Sequence, residues 1–450
     1  MRLKSHALKS FGIVALAVTL CSVLPGPTAL AVDLPPESSS PVALPLAVWQ
    51  FLAGSLVLLM PAGLAMLATG LTRAKNASHT AFMTFFGCSI AIVAFWIAGF
   101  AVMHGGSGFF LRYLGTDPGK YGPFFWKASL LCVAASIPVG ALAERWSLKN
   151  FYLCTLFMSL LLFPLFTLWA SNDGWLGRLG YVDFAGSGTV HALGGIFALV
   201  GATVLGPRIG RYNKNGAVLP ITAHNIPLSL LGGFLLSIGW LGFNMGRGTG
   251  NVPSIATVTI LAGAGGAITA ATYMIMTTRR PDPTITLNGL LAGLVASSAS
   301  AAYISPTAVV LTSVVAGLLV CVSIQFFDRR RIDDPVGAIS VHGVCGLWGV
   351  LATGIFANGD SVKGCLHGNW GQLGSQAIGC VVLLLWAGGV SWIFLRIADK
   401  FIPMRVATEV ELEGLDIPET GLVGYPDFQQ VSPHTGGFSS GKMRRTSREE

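Results

Sequence analysis

The chain has 450 residues, 52% of them hydrophobic and only 11% charged, against about 25% charged in an ordinary soluble domain. That balance excludes a soluble globular enzyme and indicates a polytopic membrane protein, with 57 glycines suited to close helix packing in lipid. The net charge of +8 does not indicate nucleic acid, because the basic residues stand singly or in small groups at span ends.

The chain opens with Arg2, Lys4 and Lys9, an apolar run from Phe11 to Leu24, and Ala29-Leu30-Ala31. This is the pattern of a secretory signal peptide over residues 1–31. The apolar run is shorter than the roughly 20 residues a spanning helix needs. Cleavage would leave the mature N-terminus outside.

Eleven apolar spans follow, at about 46–71, 80–103, 124–144, 150–169, 187–206, 225–246, 253–277, 285–302, 305–326, 337–356 and 372–397. Loops after the odd-numbered spans carry Arg73/Lys75, Arg145/Lys149, Arg208/Arg211/Lys214, Arg279/Arg280, Arg329/Arg330/Arg331 and Lys400/Arg405. The other loops hold scattered cations, so the positive-inside rule predicts an outside start and a cytoplasmic C-terminus. Six cysteines fall within spans and Cys365 in an outer loop, so no disulfide framework, metal site or cofactor is expected. The transmembrane region is expected over 44–400, followed by a cytoplasmic tail over 401–450, disordered after about 428.

Two segments in these spans resemble each other. GSGTVHALGG (186–195) and GAISVHGVCG (337–346) share the form G-x-x-[ST]-V-H-x-x-x-G. The first lies in the fifth span, running inward, and the second in the tenth, running outward. A histidine at bilayer depth faces a cavity or a partner by default and marks a transport path. His191 and His342, in matched settings, should converge on one pathway at the interface of two inverted halves. No carboxylate lies within a turn of either, so the rings are expected to bond to each other and to pass protons. Other ligands for a metal are absent nearby.

Asp183 stands eight residues before His191. It is expected to cap the fifth span at its outer end and to favour cations there. Trp126, Trp169, Trp240 and Phe243 lie near span ends, as an interfacial belt would place them, or as a cage for a small cation. Asp333 and Asp334, in RRRIDDPVG, read as a capping and charge-balancing loop.

DFAGSGTVH, GALAER (140–145), HNIPLSLLGGFLLSIGWLGFNMG (224–246), DDPVGAISVHGVCG and RVATEVELEGLDIPE (405–419) resemble the ammonium transporter (Amt/Mep/Rh) family, in order over about 44–427. The resemblance implies an all-α membrane fold of eleven transmembrane helices, two inverted five-helix repeats plus a C-terminal helix, assembled as a homotrimer in the bacterial inner or plasma membrane. It implies ammonium recruitment at an outer vestibule and passage of ammonia and a proton through an apolar pore lined by His191 and His342. It assigns recruitment to Asp183, Trp169 and Trp126, and a gate to Phe243. It also implies a tail that latches onto a neighbouring subunit and a PII-type regulatory protein at the cytoplasmic face.

Three departures stand at the entrance. Leu130 replaces the second gate phenylalanine, Lys127 stands where the pattern has glutamine, and Arg247 where it has serine. Thr420 also replaces a common histidine in the tail. At about 6 Å and an effective dielectric near 20, like charges repel by roughly 2–3 kcal/mol. Lys127 and Arg247 are therefore expected to modify recruitment unless their long chains reach away to water. The alternative function is an ammonium sensor with weak or no transport on the same scaffold; an enzyme is not expected.

Overall fold

Long apolar runs without charge must satisfy their backbone internally to sit in lipid, and a helix does this within one segment. The computed structural model describes residues 43–106, 108–115, 118–248 and 252–426, and is helical throughout, with no strand among the described residues. The expected signal peptide and the expected disorder after 428 lie outside them. Among the described residues, ten helices are long and apolar enough to cross a membrane: α1 (Leu46–Leu71), α2 (Ala74–Met103), α3 (Tyr121–Leu142), α4 (Leu148–Arg178), α5 (Ser187–Leu205), α6 (Ile226–Met245), α7 (Val252–Thr278), α9 (Pro306–Arg329), α10 (Ile339–Phe356) and α11 (Trp370–Phe401). The protein is thus an integral membrane protein.

Each falls where the hydropathy pattern puts a span. The eighth expected span is a shorter apolar helix, α8 (Pro283–Ser297). Asp282 caps its start, accepting from Thr284 N and Ile285 N. The turns after Ser297 are not helical, yet their backbone is paired inside the protein. Phe184 N–H donates to Ala299 O and Ala185 N–H to Ser298 O, both at 3.0 Å. Irregular backbone at this depth is tolerated because protein, not lipid, surrounds it.

The most apolar stretch of α3 is 89% buried, against 33% in α11 and 39% in α7. So α3 is central, and α7 and α11 lie at the periphery. The core joins α3 to α5 and α8 to α10, while α5 crosses α10 at its histidine segment.

The loops after α1, α3, α5 and α9 gather at one end, rich in arginine. Glu144, wholly buried, accepts from Arg73 Nε at 2.8 Å and pairs with Arg208 at 3.3 Å. Asp333 accepts from Arg208 Nε at 2.8 Å and Nη2 at 2.9 Å. Burial pushes the Asp333 carboxyl up, but the Arg208 hydrogen bonds and the Arg145 and Arg208 charges overcome it and hold it well below the usual carboxylate range. Arg145, also buried, donates to the carbonyls of Gly206, Ala143 and Asp333. Asp333 is therefore more than the charge-balancing loop residue the sequence suggested. It ties α10 to the loop after α5 and faces the GALAER turn.

The segment after α11, including a short helix α12 (Thr408–Glu413), lies against this end of its own chain. Ser147 N–H donates to Met404 O at 2.9 Å, Val406 N–H to Arg145 O at 3.1 Å, and Leu415 N–H to Asn76 Oδ1 at 2.9 Å. Glu411 bridges Arg405 at 2.8 Å and the Ile209 N–H at 2.7 Å.

Candidate functional site

Both histidine motifs fold by the same local rules. Each opens on a glycine with positive φ, +129° at Gly186 and +80° at Gly337, where an L side chain would be strained. Each then runs through a π-helical turn, Ser187–Ala192 and Ile339–Val344, which holds the histidine. Such widened turns occur often at functional sites. Each motif closes on a glycine that meets the backbone of the other motif. A Cβ at Gly195 would lie 2.1 Å from Gly343 N, and one at Gly346 would lie 2.6 Å from Ser187 O. The first and last glycines of the shared pattern are thus a bend and a crossing point.

An aspartate precedes each motif by the same three positions. Asp183 Oδ2 accepts from Gly188 N at 3.1 Å, Thr189 N at 2.7 Å and Thr189 Oγ1 at 2.7 Å. Asp334 accepts from Gly337 N at 3.0 Å and Ile339 N at 2.7 Å. Both cap the N-terminal N–H groups of their helix. Burial pushes the Asp334 carboxyl up, against the pull of backbone donors at Ile339, Ala338 and Val336. Asp334 is thus the cap its loop was expected to supply, and its equivalence with Asp183 is what the sequence reading lacked. The signal was present, since Asp334 precedes His342 by the same eight residues that separate Asp183 from His191.

The crossing brings the two rings together. His191 and His342 are 0% and 3% exposed, their Nδ1 atoms are 3.2 Å apart, and their planes lie within 20°. One ring donates an Nδ1 proton to the other. His191 stacks on Trp240 at 4.9 Å and 17°, and Phe243 lies 4.9 Å away on the same ring. Trp240 is fully buried and its indole N–H donates to Ser298 Oγ at 3.0 Å. It belongs to this aromatic wall and not to an interfacial belt. The sequence could have flagged it, because Trp240 and Phe243 are three apart and share one face of α6.

Beyond His342, toward the arginine-rich end, lies a cavity of about 10 Å³, lined by Leu64, Leu67, Ser136, Ile137 and Val336 among others. That is close to the space one water needs. Asn288 and Val336 also line a larger chamber of about 140 Å³ with Arg211, Asp328, Asp334 and Ser340. A chain of small spaces thus leads from His342 to the charged end.

On the other side of His191 the wall closes with Phe243 and leads to the opposite end. Leu130 is 2% exposed, one helical turn along α3 from Trp126, which is 4% exposed. Lys127 Nζ lies 5.0 Å from the Trp126 ring centroid, and the Arg247 guanidinium carbon 5.7 Å from that of Phe184. Gly246, the residue before Arg247, packs on the Trp126 indole, and Phe184 directly follows Asp183 in the chain. Asp183, Trp126, Lys127 and Arg247 therefore gather at one mouth. Trp169 contacts Trp386 at 4.6 Å and Trp175 at 6.2 Å, which sets its ring on the seam between α4 and α11.

The sequence profile of the Ammonium Transporter Family matches residues 48–425. Ammonium transporter Amt2 of Archaeoglobus fulgidus is 37% identical over 412 residues, covering 85% of this chain and 88% of its own length. Ammonium transporter 3 of Dictyostelium discoideum is 32% identical over 405 residues, covering 84% and 93%. Among solved structures, one titled Sensor Amt Protein superposes with a TM-score of 0.80 at 32% identity, over 84% of this chain and 98% of that one. Mep2 of Candida albicans superposes with a TM-score of 0.75 at 26% identity, over 87% and 92%.

Proposed function

We propose, for a chain that belongs to the ammonium transporter family, that it carries ammonium through its own bundle along the His191–His342 column, as ammonia plus a proton or as net ammonium. The observation that carries this reading is the 3.2 Å contact between two buried imidazoles at the crossing of two matched helices. A linked ring pair offers an acceptor and a donor in an otherwise apolar path, which is what proton relay requires.

The roles follow the order along the column. The end opposite the arginines is the outer mouth, in keeping with the loop charges. Asp183 shapes that mouth by its charge while its Oδ2 caps α5, and Trp126 and Trp169 contribute aromatic surface. Phe243, with Leu130 along α3, forms the gate. His191 takes the proton and His342 passes it on toward the 10 Å³ cavity and the 140 Å³ chamber. Narrow apolar walls exclude hydrated ions, because none of the water they would shed is replaced. The two matched motifs, starting from opposite ends, favour two inverted halves of five helices with α11 added. The homotrimer and a PII-type partner at the arginine-rich face rest on the family resemblance, and the outside N-terminus rests on the loop charges.

A second reading, an ammonium sensor that conducts weakly, is favoured by one local fact. Two cations, Lys127 and Arg247, stand at the mouth where recruitment of a cation would occur. Ammonium-elicited current in proteoliposomes separates the readings. Wild-type current that grows when Lys127→Gln is combined with Arg247→Ser supports a transporter with a damped mouth; the combined variant should tighten apparent affinity by roughly tenfold, about 1.4 kcal/mol. Current absent in wild type and gained only in the double variant supports the sensor.

A further inference from the structure

Three nitrogen-bearing donors stand at the outer mouth, and no hydrogen bond joins any of them to an acceptor among the described residues. The Trp126 indole N–H is buried with its ring 4% exposed, and it has no hydrogen-bond partner. The Lys127 ammonium sits over the same ring at 5.0 Å. Arg247 follows Gly246, whose Cα packs directly on the indole: a Cβ there would come within 2.0 Å of Trp126 Nε1. The Arg247 guanidinium lies over Phe184, with Asp183 and Tyr303 as its electrostatic partners.

Asp183, the residue before Phe184, is the carboxylate beside the Arg247 guanidinium. Its Oδ2 is already held by three cap donors, which fixes the side chain against the start of α5. Among the described residues, one carboxylate against two cations leaves the mouth with a surplus positive charge when Lys127 is protonated. Ammonium carries only donors, so it cannot satisfy an indole N–H or neutralise that surplus. An anion does both, and a buried polar group without a partner is expensive enough to favour one.

We propose that the outer mouth binds a small inorganic anion of chloride size, held by Lys127, Arg247 and the Trp126 indole N–H, and that this anion sets the charge ammonium meets on arrival. The inference rests on the reading of this end as the outer mouth. It assigns Lys127 and Arg247 a ligand, rather than leaving them as bare obstacles to recruitment. With the anion bound the mouth is close to neutral once Asp183 is counted, and ammonium can approach; without it the two cations repel the substrate.

The test uses the full-length protein in two arms. Crystals grown or soaked in sodium bromide in place of chloride should show an anomalous bromide peak within hydrogen-bond reach of Trp126 Nε1 and Lys127 Nζ. Trp126→Phe, which keeps the ring and removes the N–H, should weaken the peak, and Lys127→Gln with Arg247→Ser should abolish it. In proteoliposomes at constant ionic strength, replacing chloride with gluconate should raise the wild-type apparent KM for ammonium by roughly tenfold. The double variant should not respond. Absence of bromide at the mouth of the wild-type protein, or a peak that survives in the double variant, overturns the site. Bromide bound without any anion dependence of KM overturns the role given to it. If the protein carries no current at all, the transport reading fails, and the bromide peak still decides the anion site.

Discussion

The two histidine motifs share a centre and differ at their ends. Both have an aspartate cap, a glycine bend, a π-helical turn with the histidine, and a glycine crossing. Around Asp334 the cap opens on a chamber of about 140 Å³ beside the Asp333–Arg208–Glu144 ion pairs. Around Asp183 it faces a close mouth with Lys127 over Trp126 and Arg247 over Phe184. The contrast teaches where the chain has freedom. Backbone contact fixes the centre, because a Cβ at Gly195 has nowhere to go. Charge and side-chain length shape the ends, and these can change without moving the histidines. On the transport reading, control of what enters belongs to the ends.

The largest effect should come from breaking the shared centre. Gly195→Val would drive carbon into Gly343 and force the two helices apart, costing about 3 kcal/mol or more by overpacking. Loss of the monodisperse peak in detergent, with a large fall in thermal stability, checks it. A well-folded Gly195→Val protein would mean that the crossing tolerates slack.

Next come the caps, which sharpen the comparison. Asp183→Ala and Asp334→Ala should each destabilise by about 1–2 kcal/mol, since each removes a set of N-terminal acceptors. Thermal unfolding should show similar losses for both. Ammonium KM should separate them: only Asp183→Ala should raise it, by roughly tenfold. Equal KM changes in the two variants would erase the functional difference drawn between the ends.

The smallest effect concerns acid. The Asp333 carboxyl is held below its usual range by Arg208 and Arg145 despite its burial. Its ion pairs therefore stabilise the protein above the unfolded carboxylate pKa of about 3.9, and that contribution fades as pH falls through the lower folded value. Wild-type thermal stability should decline on acidification below about pH 5. Asp333→Asn should be less stable at neutral pH and show a shallower decline. An unchanged acid slope would remove Asp333 as the source.

Much of the fold was legible because lipid leaves few options. The first span, read at 46–71, is Leu46–Leu71 in the structure. The eighth was read too long because apolar composition cannot tell lipid contact from burial: α8 ends at Ser297 and its sequel pairs with the backbone before α5. The histidine contact was legible from the matched motifs and their spacing. Trp240 was not, since a tryptophan near a span end has the same signature in a headgroup belt and against a buried ring. Asp334 was legible as a cap, but its match to Asp183 was not, because the repeated pattern G-x-x-[ST]-V-H begins at the glycine, three residues after the aspartate. The placement of Trp169 against Trp386 depends on how α4 packs on α11, which no local pattern encodes.

The central claim is that ammonium crosses by way of the bonded histidines, and it can be tested on the rings themselves. Ammonium- and potassium-elicited currents should be compared in proteoliposomes of the wild-type protein and His191→Ala. A selective ammonium current is expected in the wild type. In the variant it should fall by roughly a hundredfold, the scale of a lost proton-transfer group, with any residual leak no longer favouring ammonium. A His191→Ala protein with the wild-type rate and selectivity would contradict it.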